Sequence, residues 1–178
     1  MRIIIHADGA SRGNPGAAAG GAVILNADTG EVLVEVGVLC GHASNNVAEY
    51  RGMIEGISVA KGLEPDGEIL VRLDSKLVVE QMSGNWKVKH PDMQELVKKA
   101  HATIDGIPVR FEWVPRNDNA LADAAANRAL DEGRDFVIHH EKASVFCATL
   151  EPPVKRSARR PRHASAEERP GSLEQGGG

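Results

Sequence analysis

Aromatic side chains are nearly missing from this 178-residue chain, which has two Trp, one Tyr and three Phe. A close-packed interior must therefore be assembled from Val, Ile, Leu and Ala. Cysteine is as scarce. Cys40 and Cys147 are the whole complement, and their spacing suits neither a metal site nor a redox pair. That excludes a disulfide scaffold and leads to the expectation of a reducing, cytoplasmic setting. Long apolar runs are also lacking. The stretch Ile3-Ile4-Ile5 meets Asp8 before it reaches the length of a signal-peptide core, and no segment approaches a membrane span. No membrane partner is expected, and a monomer is the default. Finally, no strong excess of one charge announces a partner: 21 Lys and Arg stand against 25 Asp and Glu, a net charge of −4. The average hides an asymmetry. Six of the bases but only three of the acids lie from Lys155 onward, so the body is near −7 and the tail near +3. An acidic body can still bind phosphates if divalent cations neutralise a carboxylate cluster.

What is present fits one domain with a real core, at 42% hydrophobic and 26% charged residues. Residues 2–8 read as an Ile-rich strand, and 9–18 as a loop around Gly13-Asn14-Pro15-Gly16. Ala19–Leu25 and Glu31–Val38 read as two more strands joined by a turn at Asn26–Gly30. A helix follows from Ser44-Asn45-Asn46 to about Gly62, with Met53, Ile57 and Ala60 on one face. Next come a strand at Glu68–Leu73, helices at Ser75–Met82 and Asp92–Ile104, a strand at Val109–Val114 and an Ala-rich helix at Leu121–Leu130 closed by Gly133. An opening meander followed by strand–helix alternation predicts an α/β fold, a mixed five-stranded sheet with helices packed on it. Residues 1–134 form this domain. Residues 135–150 are an ambiguous extension in which Phe136-Val137-Ile138 could add a strand. Residues 151–178, rich in Pro, Arg, Ser, Glu and Gly, read as a disordered basic tail.

Four acids stand at element boundaries: Asp8, Glu49, Asp74 and Asp123. Each has an ordinary structural use. Asp8-Gly9 is a turn signal, and Asp74-Ser75 a helix cap. Asn46 with Glu49 three residues on has the form of a capping box, and Asp123 sits where a helix dipole favours an acid. Asp118 is a rival to Asp123.

In company, they resemble the four motifs of type 1 ribonucleases H. Asp8-Gly9-Ala10-Ser11-Arg12-Gly13-Asn14-Pro15-Gly16 is similar to the first, Ser44-Asn45-Asn46-Val47-Ala48-Glu49 to the second and Leu73-Asp74-Ser75 to the third. Trp113-Val114 with Asn119-Ala120-Leu121-Ala122-Asp123 is similar to the fourth, and the likeness runs over residues 1–133. The resemblance implies an endoribonuclease that cuts the RNA strand of RNA–DNA hybrids with two Mg²⁺ ions, Mn²⁺ being a substitute, leaving 5′-phosphate and 3′-hydroxyl ends. Two divalent ions about 4 Å apart can serve the attacking water and the leaving oxygen together, and hard cations want oxygen ligands. By this likeness Asp8 bridges the ions, Asp123 holds the one that activates water, and Glu49 and Asp74 hold the one beside the leaving group. Glu49 also senses the ribose 2′-hydroxyl. Gly13, Asn14, Asn45 and Asn46 match positions that contact the hybrid, Ser44 and Asn46 a pocket for a DNA-strand phosphate, and Trp86 an aromatic near the DNA strand. Trp113, inside a strand, reads as core.

The chain departs from the pattern twice. The loop Val114–Asn119 carries Arg116 where many relatives have a histidine, which bears on turnover more than on reaction type. The Lys- and Trp-rich insertion of some relatives is reduced to Lys87, Lys89 and His90. The basic tail Lys155–Arg162 could supply a flexible arm in its place, or be a solvated linker. His139, His140 and Cys147 read as a solvated pair and a packed thiol. Two other functions fit the same fold: a catalytically silent hybrid- or duplex-binding module, and a nuclease acting mainly on double-stranded RNA or as an exonuclease.

Overall fold

A computed structural model describes residues 1–140. Its elements are β1 (Ile3–Arg12), β2 (Gly16–Asn26), β3 (Val32–Ala43), α1 (Asn45–Leu63), β4 (Ile69–Leu73), α2 (Lys76–Met82), α3 (Pro91–Ile104), β5 (Val109–Trp113), a 3-10 turn (Arg116–Asn119), α4 (Ala120–Glu132) and β6 (Phe136–His139). The sheet order is β5-β4-β1-β2-β3-β6. The first three strands form the antiparallel meander, while β4 and β5 add parallel to β1. The expected α/β mixed sheet is present with six strands rather than five. The additional strand comes from the ambiguous extension: β6 pairs antiparallel with β3, and Phe136 turns inward opposite Gly37, whose missing side chain leaves room for the ring.

The core lies between the sheet and α1. Ile3, Ile5 and Ala7 of β1 stand in register with Ile69, Val71 and Leu73 of β4, and all six are buried. Tyr50, Met53, Ile54, Ile57 and Ala60 recur at helical spacing along α1 and bury against this layer. α3 starts with Pro91 at its first turn, where a missing N–H costs nothing. α4 covers the opposite face of β2 and β3 through Ala122, Ala125, Ala126 and Ala129, and Gly133 closes it in the left-handed conformation (φ 67°).

Several boundaries differ from expectation for identifiable reasons. β1 does not stop at Asp8; Gly9 and Ala10 continue the ladder against Gly20 and Ala19, so the predicted loop 9–18 shrinks to residues 13–15. α1 is capped by Ser44, whose Oγ accepts from Val47 N at 3.2 Å, and not by Asn46. Gly62 does not stop α1, which ends one residue later. Trp113 is not core: it lies on the edge strand and is 47% exposed. His140 is paired with Glu35 at 2.6 Å. Cys147, the remainder of the extension and the tail 151–178 lie outside the described residues.

Close approach of helices to the sheet depends on glycine. A Cβ on Gly21 would stand 2.4 Å from Ala126 N and 2.5 Å from Ala122 O, both backbone atoms of α4 that cannot yield locally. Gly62, in α1, faces open space. Gly21→Ala is therefore expected to lose about 1–3 kcal/mol by overpacking, whereas Gly62→Ala gains about 0.5–1 kcal/mol from reduced chain entropy. Urea unfolding of the two variants beside the parent checks both signs.

Candidate active site

The site begins with strand register. Ala7 pairs with Leu73, so the next residues, Asp8 and Asp74, emerge side by side from adjacent parallel strands. Glu49 reaches the same place from α1. A Cβ on Gly9 would lie 2.4 Å from Glu49 N, so only glycine lets the helix descend onto β1 at this point. Carboxylate oxygens of Asp8, Glu49 and Asp74 then lie within 4.8 Å of one another, the one such acidic, Cys or His group among the described residues.

None of the three is consumed by a structural role. Ser75, not Asp74, caps α2 by accepting from Val78 N at 3.3 Å. With Ser44 as the cap of α1, Glu49 falls outside any capping box. Asp8 Oδ1 accepts from Gly9 N at 2.9 Å. Glu49 Oε2 and Asp74 Oδ2 are buried with no hydrogen-bond partner among the described residues. An unsatisfied buried carboxylate oxygen is costly, and two together around a third carboxylate call for a cation.

The electrostatics agree. Burial first, then the neighbouring Asp74, pushes the Asp8 carboxyl from its ordinary 3.8 to about 7. Burial, then the charges of Asp8 and Asp74, drives Glu49 well above the usual carboxylate range. An all-oxygen donor set with this much uncompensated charge suits a hard divalent cation.

The fourth acid is different. Asp123 lies in the first turn of α4, exposed and outside the 4.8 Å group, yet its charge raises Asp8. Asp118, in the 3-10 turn, acts on His6 instead. Asn127, one helical turn past Asp123, donates Nδ2–H to its carbonyl at 3.0 Å and to its Oδ1 at 3.3 Å. The root of α4 is fixed by Asn119, only 1% exposed, which donates to Ala7 O at 2.8 Å and meets His6 Nδ1 at 3.2 Å.

Of the residues expected to contact substrate, Ser44 and Asn46 line an open groove of about 930 Å³ together with His42, Arg51, Lys87 and Lys89. Asn14 ties the Gly13 loop to α1, its Oδ1 accepting from Asn45 N at 3.1 Å. Trp86 is exposed just past α2, and Arg116 is exposed in the 3-10 turn. Sequence reasoning missed Trp113, whose Nε1 donates to Asp74 O at 3.2 Å while Lys76 lies 5.9 Å from its ring centroid. Trp113 is the last residue of the five-residue strand β5, which lies at the sheet edge. Asn119 stands in the fourth motif without a role assigned to it, and Asn127 was unread; a poor helix former inside an Ala-rich helix marks the latter.

Comparison with known proteins bears on this geometry. A family model described as reverse transcriptase-like matches residues 6–129. The bifunctional protein Rv2228c of Mycobacterium tuberculosis is 52% identical over 153 residues, 85% of this chain and 42% of that protein. The chain thus spans about two fifths of the length of that curated relative. The solved N-terminal RNase H domain of Rv2228c superposes with a TM-score of 0.70 at 52% identity, covering 74% of this chain and 94% of that one. LC11-RNase H1, solved in complex with an RNA/DNA hybrid, gives a TM-score of 0.70 at 37% identity over 74% of this chain and 99% of that one.

A pH prediction follows from the raised carboxyls. In the fold they hold protons over a range, from about pH 4 to about 7 for Asp8, in which the unfolded chain has released them. The native state binds more protons there, so stability falls as pH rises through that window. In chelator, Glu49→Gln is expected to raise the unfolding free energy at pH 8 by about 1–3 kcal/mol and to change it little near pH 5. Thermal melts at the two pH values test this; an equal effect at both pH values, or destabilisation at pH 8, would refute it.

Proposed function

The chain belongs to the reverse transcriptase-like family and carries a ribonuclease H-type domain, and from that premise we propose that it is an endoribonuclease hydrolysing the RNA strand of RNA–DNA hybrids. The observation that carries this reading is the trio of buried Asp8, buried Glu49 and half-buried Asp74, in which two buried oxygens have no partner among the described residues.

Asp8, Glu49, Asp74 and Asp123 would hold two Mg²⁺ ions, with Mn²⁺ able to replace them. Bound there, such ions supply Lewis-acid stabilisation of the phosphate and a water of lowered pKa. The remaining work falls to the protein. Glu49, fixed by the Gly9 contact, accepts a hydrogen bond from the ribose 2′-hydroxyl, the group that distinguishes RNA from DNA. Gly13, Asn14 and Asn45, joined at one corner, contact the hybrid. Ser44 and Asn46, in the groove with Arg51, Lys87 and Lys89, hold a phosphate of the DNA strand, and Trp86 stacks nearby. Arg116 can clamp a phosphate through the planar fork of its guanidinium, a binding role. The products carry 5′-phosphate and 3′-hydroxyl ends.

No described helix is long and apolar enough to cross a membrane, and we place this activity in the cytoplasm with a monomer as the working unit. Residues 1–134, with β6 completing the sheet, are the catalytic domain; the basic segment Lys155–Arg162 is a candidate additional contact.

The test offers labelled RNA–DNA hybrid, double-stranded RNA and double-stranded DNA, each with Mg²⁺, Mn²⁺ or EDTA. Hybrid is cut with metal and not with EDTA, and Asp74→Asn lowers the rate by at least about 100-fold. Absence of hybrid cleavage with either metal refutes the proposal, preferential cutting of double-stranded RNA redirects it, and an Asp74→Asn protein of full activity removes the site assignment.

A further inference from the structure

Three of the four acids are held from outside: Asp8 by a strand, Asp74 by its register with Asp8, Glu49 by a glycine contact. Asp123 is exposed, and among the described residues its carboxylate has one hydrogen-bonding neighbour, Asn127. That neighbour is out of place by local rules. α4 reads Ala-Leu-Ala-Asp-Ala-Ala-Ala-Asn-Arg-Ala-Leu-Asp-Glu, and asparagine in a helix interior is less favourable than the alanines around it. Asn127 is half-exposed and packs into neither core cluster, so packing does not explain it. A residue that breaks local preference without a packing gain points to function.

The geometry supplies one. Asn127 Nδ2 is shared between the Asp123 carbonyl at 3.0 Å and the Asp123 Oδ1 at 3.3 Å. The backbone acceptor anchors the amide, and the anchored amide limits the rotation of the carboxylate, leaving Oδ2 free. Asn119 holds the root of the same helix to β1 beside Asp8. We propose that Asn127 is a positioning residue for Asp123: its amide holds the Asp123 carboxylate in one orientation toward the Asp8 cluster and so sets the affinity for the divalent cation that Asp123 helps to bind. This rests on the reading of Asp123 as a cation ligand. Partners of this kind orient ligands, and their loss weakens metal binding by about 10–100-fold.

The experiment titrates the full chain with Mn²⁺ by calorimetry, without nucleic acid, and records unfolding midpoints in EDTA. Asn127→Ala is expected to weaken the Asp123-dependent binding about tenfold with a midpoint equal to or above the parent's, since alanine is the better helix former. Asn127→Gln keeps an amide donor one turn from an aspartate and is expected to stay within about threefold of the parent. In an Asp123→Asn background, adding Asn127→Ala changes nothing further. An Asn127→Ala titration that overlays the parent overturns the proposal. So does an equal loss in the Asp123→Asn background, or a lowered midpoint with no rescue by glutamine. No Mn²⁺ uptake by the parent would remove the cation reading and this role together; uptake without hybrid cleavage would remove only the substrate assignment and leave these titrations decisive.

Discussion

The parallel pairing of β1 with β4 is the constraint on which the site depends. Ile3, Ile5 and Ala7 meet Ile69, Val71 and Leu73 in the same buried layer under α1. A slip of one residue would turn each apolar set to the wrong face, so the register is enforced by burial of six side chains. Asp8 and Asp74 inherit that register, being the next residue on each strand. The repulsion between them is thus imposed by the hydrophobic core, and it is what makes the place attractive to a cation.

The glycines act at a second level, letting helices approach where side chains would hold them off. Gly9 admits Glu49, and Gly21 admits α4, which carries Asp123. The two helices lie against the two β-sheet faces and contribute acids to one rim. On the proposed reading, this is how an acidic body can serve a nucleic-acid reaction. The negative charge concentrated at the rim would be matched by cations, while Arg51, Lys87 and Lys89 line the neighbouring groove. The net charge of −4 described neither region.

How much of this was legible in the sequence varied with the range of the interaction. Element types and order could be read because local periodicity specifies them; Asp8, Glu49 and Asp74 stood out only through the resemblance of their motifs to those of a known family. The caps were displaced to Ser44 and Ser75 because the asparagines and the acids beside them satisfy the same pattern, and only the backbone geometry separates them. β6 was ambiguous since four residues carry little periodicity; what selects the strand is the space at Gly37, about a hundred residues earlier. Trp113 misled because a tryptophan within a strand is usually core, and the edge position is set by the sheet order, a non-local fact.

The four acids differ in what holds them, and that difference has a chemical sense. Asp8 and Glu49 are desolvated, mutually repelling and locked by packing, so a cation bound there relieves strain that the fold has already created. Asp123 is solvated, and its carboxylate would give up water to hold a cation. On the proposed reading, a ligand held by a helix turn and one amide would accommodate change at the reacting phosphate in a way that the packed pair Asp8 and Glu49 would not. Arg116, on the turn that leads into the same helix, is likewise exposed. On the proposed reading, the rigid half of the rim would suit lasting binding of charge, and the half built on α4 and its preceding turn would suit what alters during a catalytic cycle, such as entry of water and release of the cut end. That division follows from burial alone, and it places the adjustable part of the site on the helix that reaches the sheet through alanine and glycine, where small shifts disturb the fewest contacts.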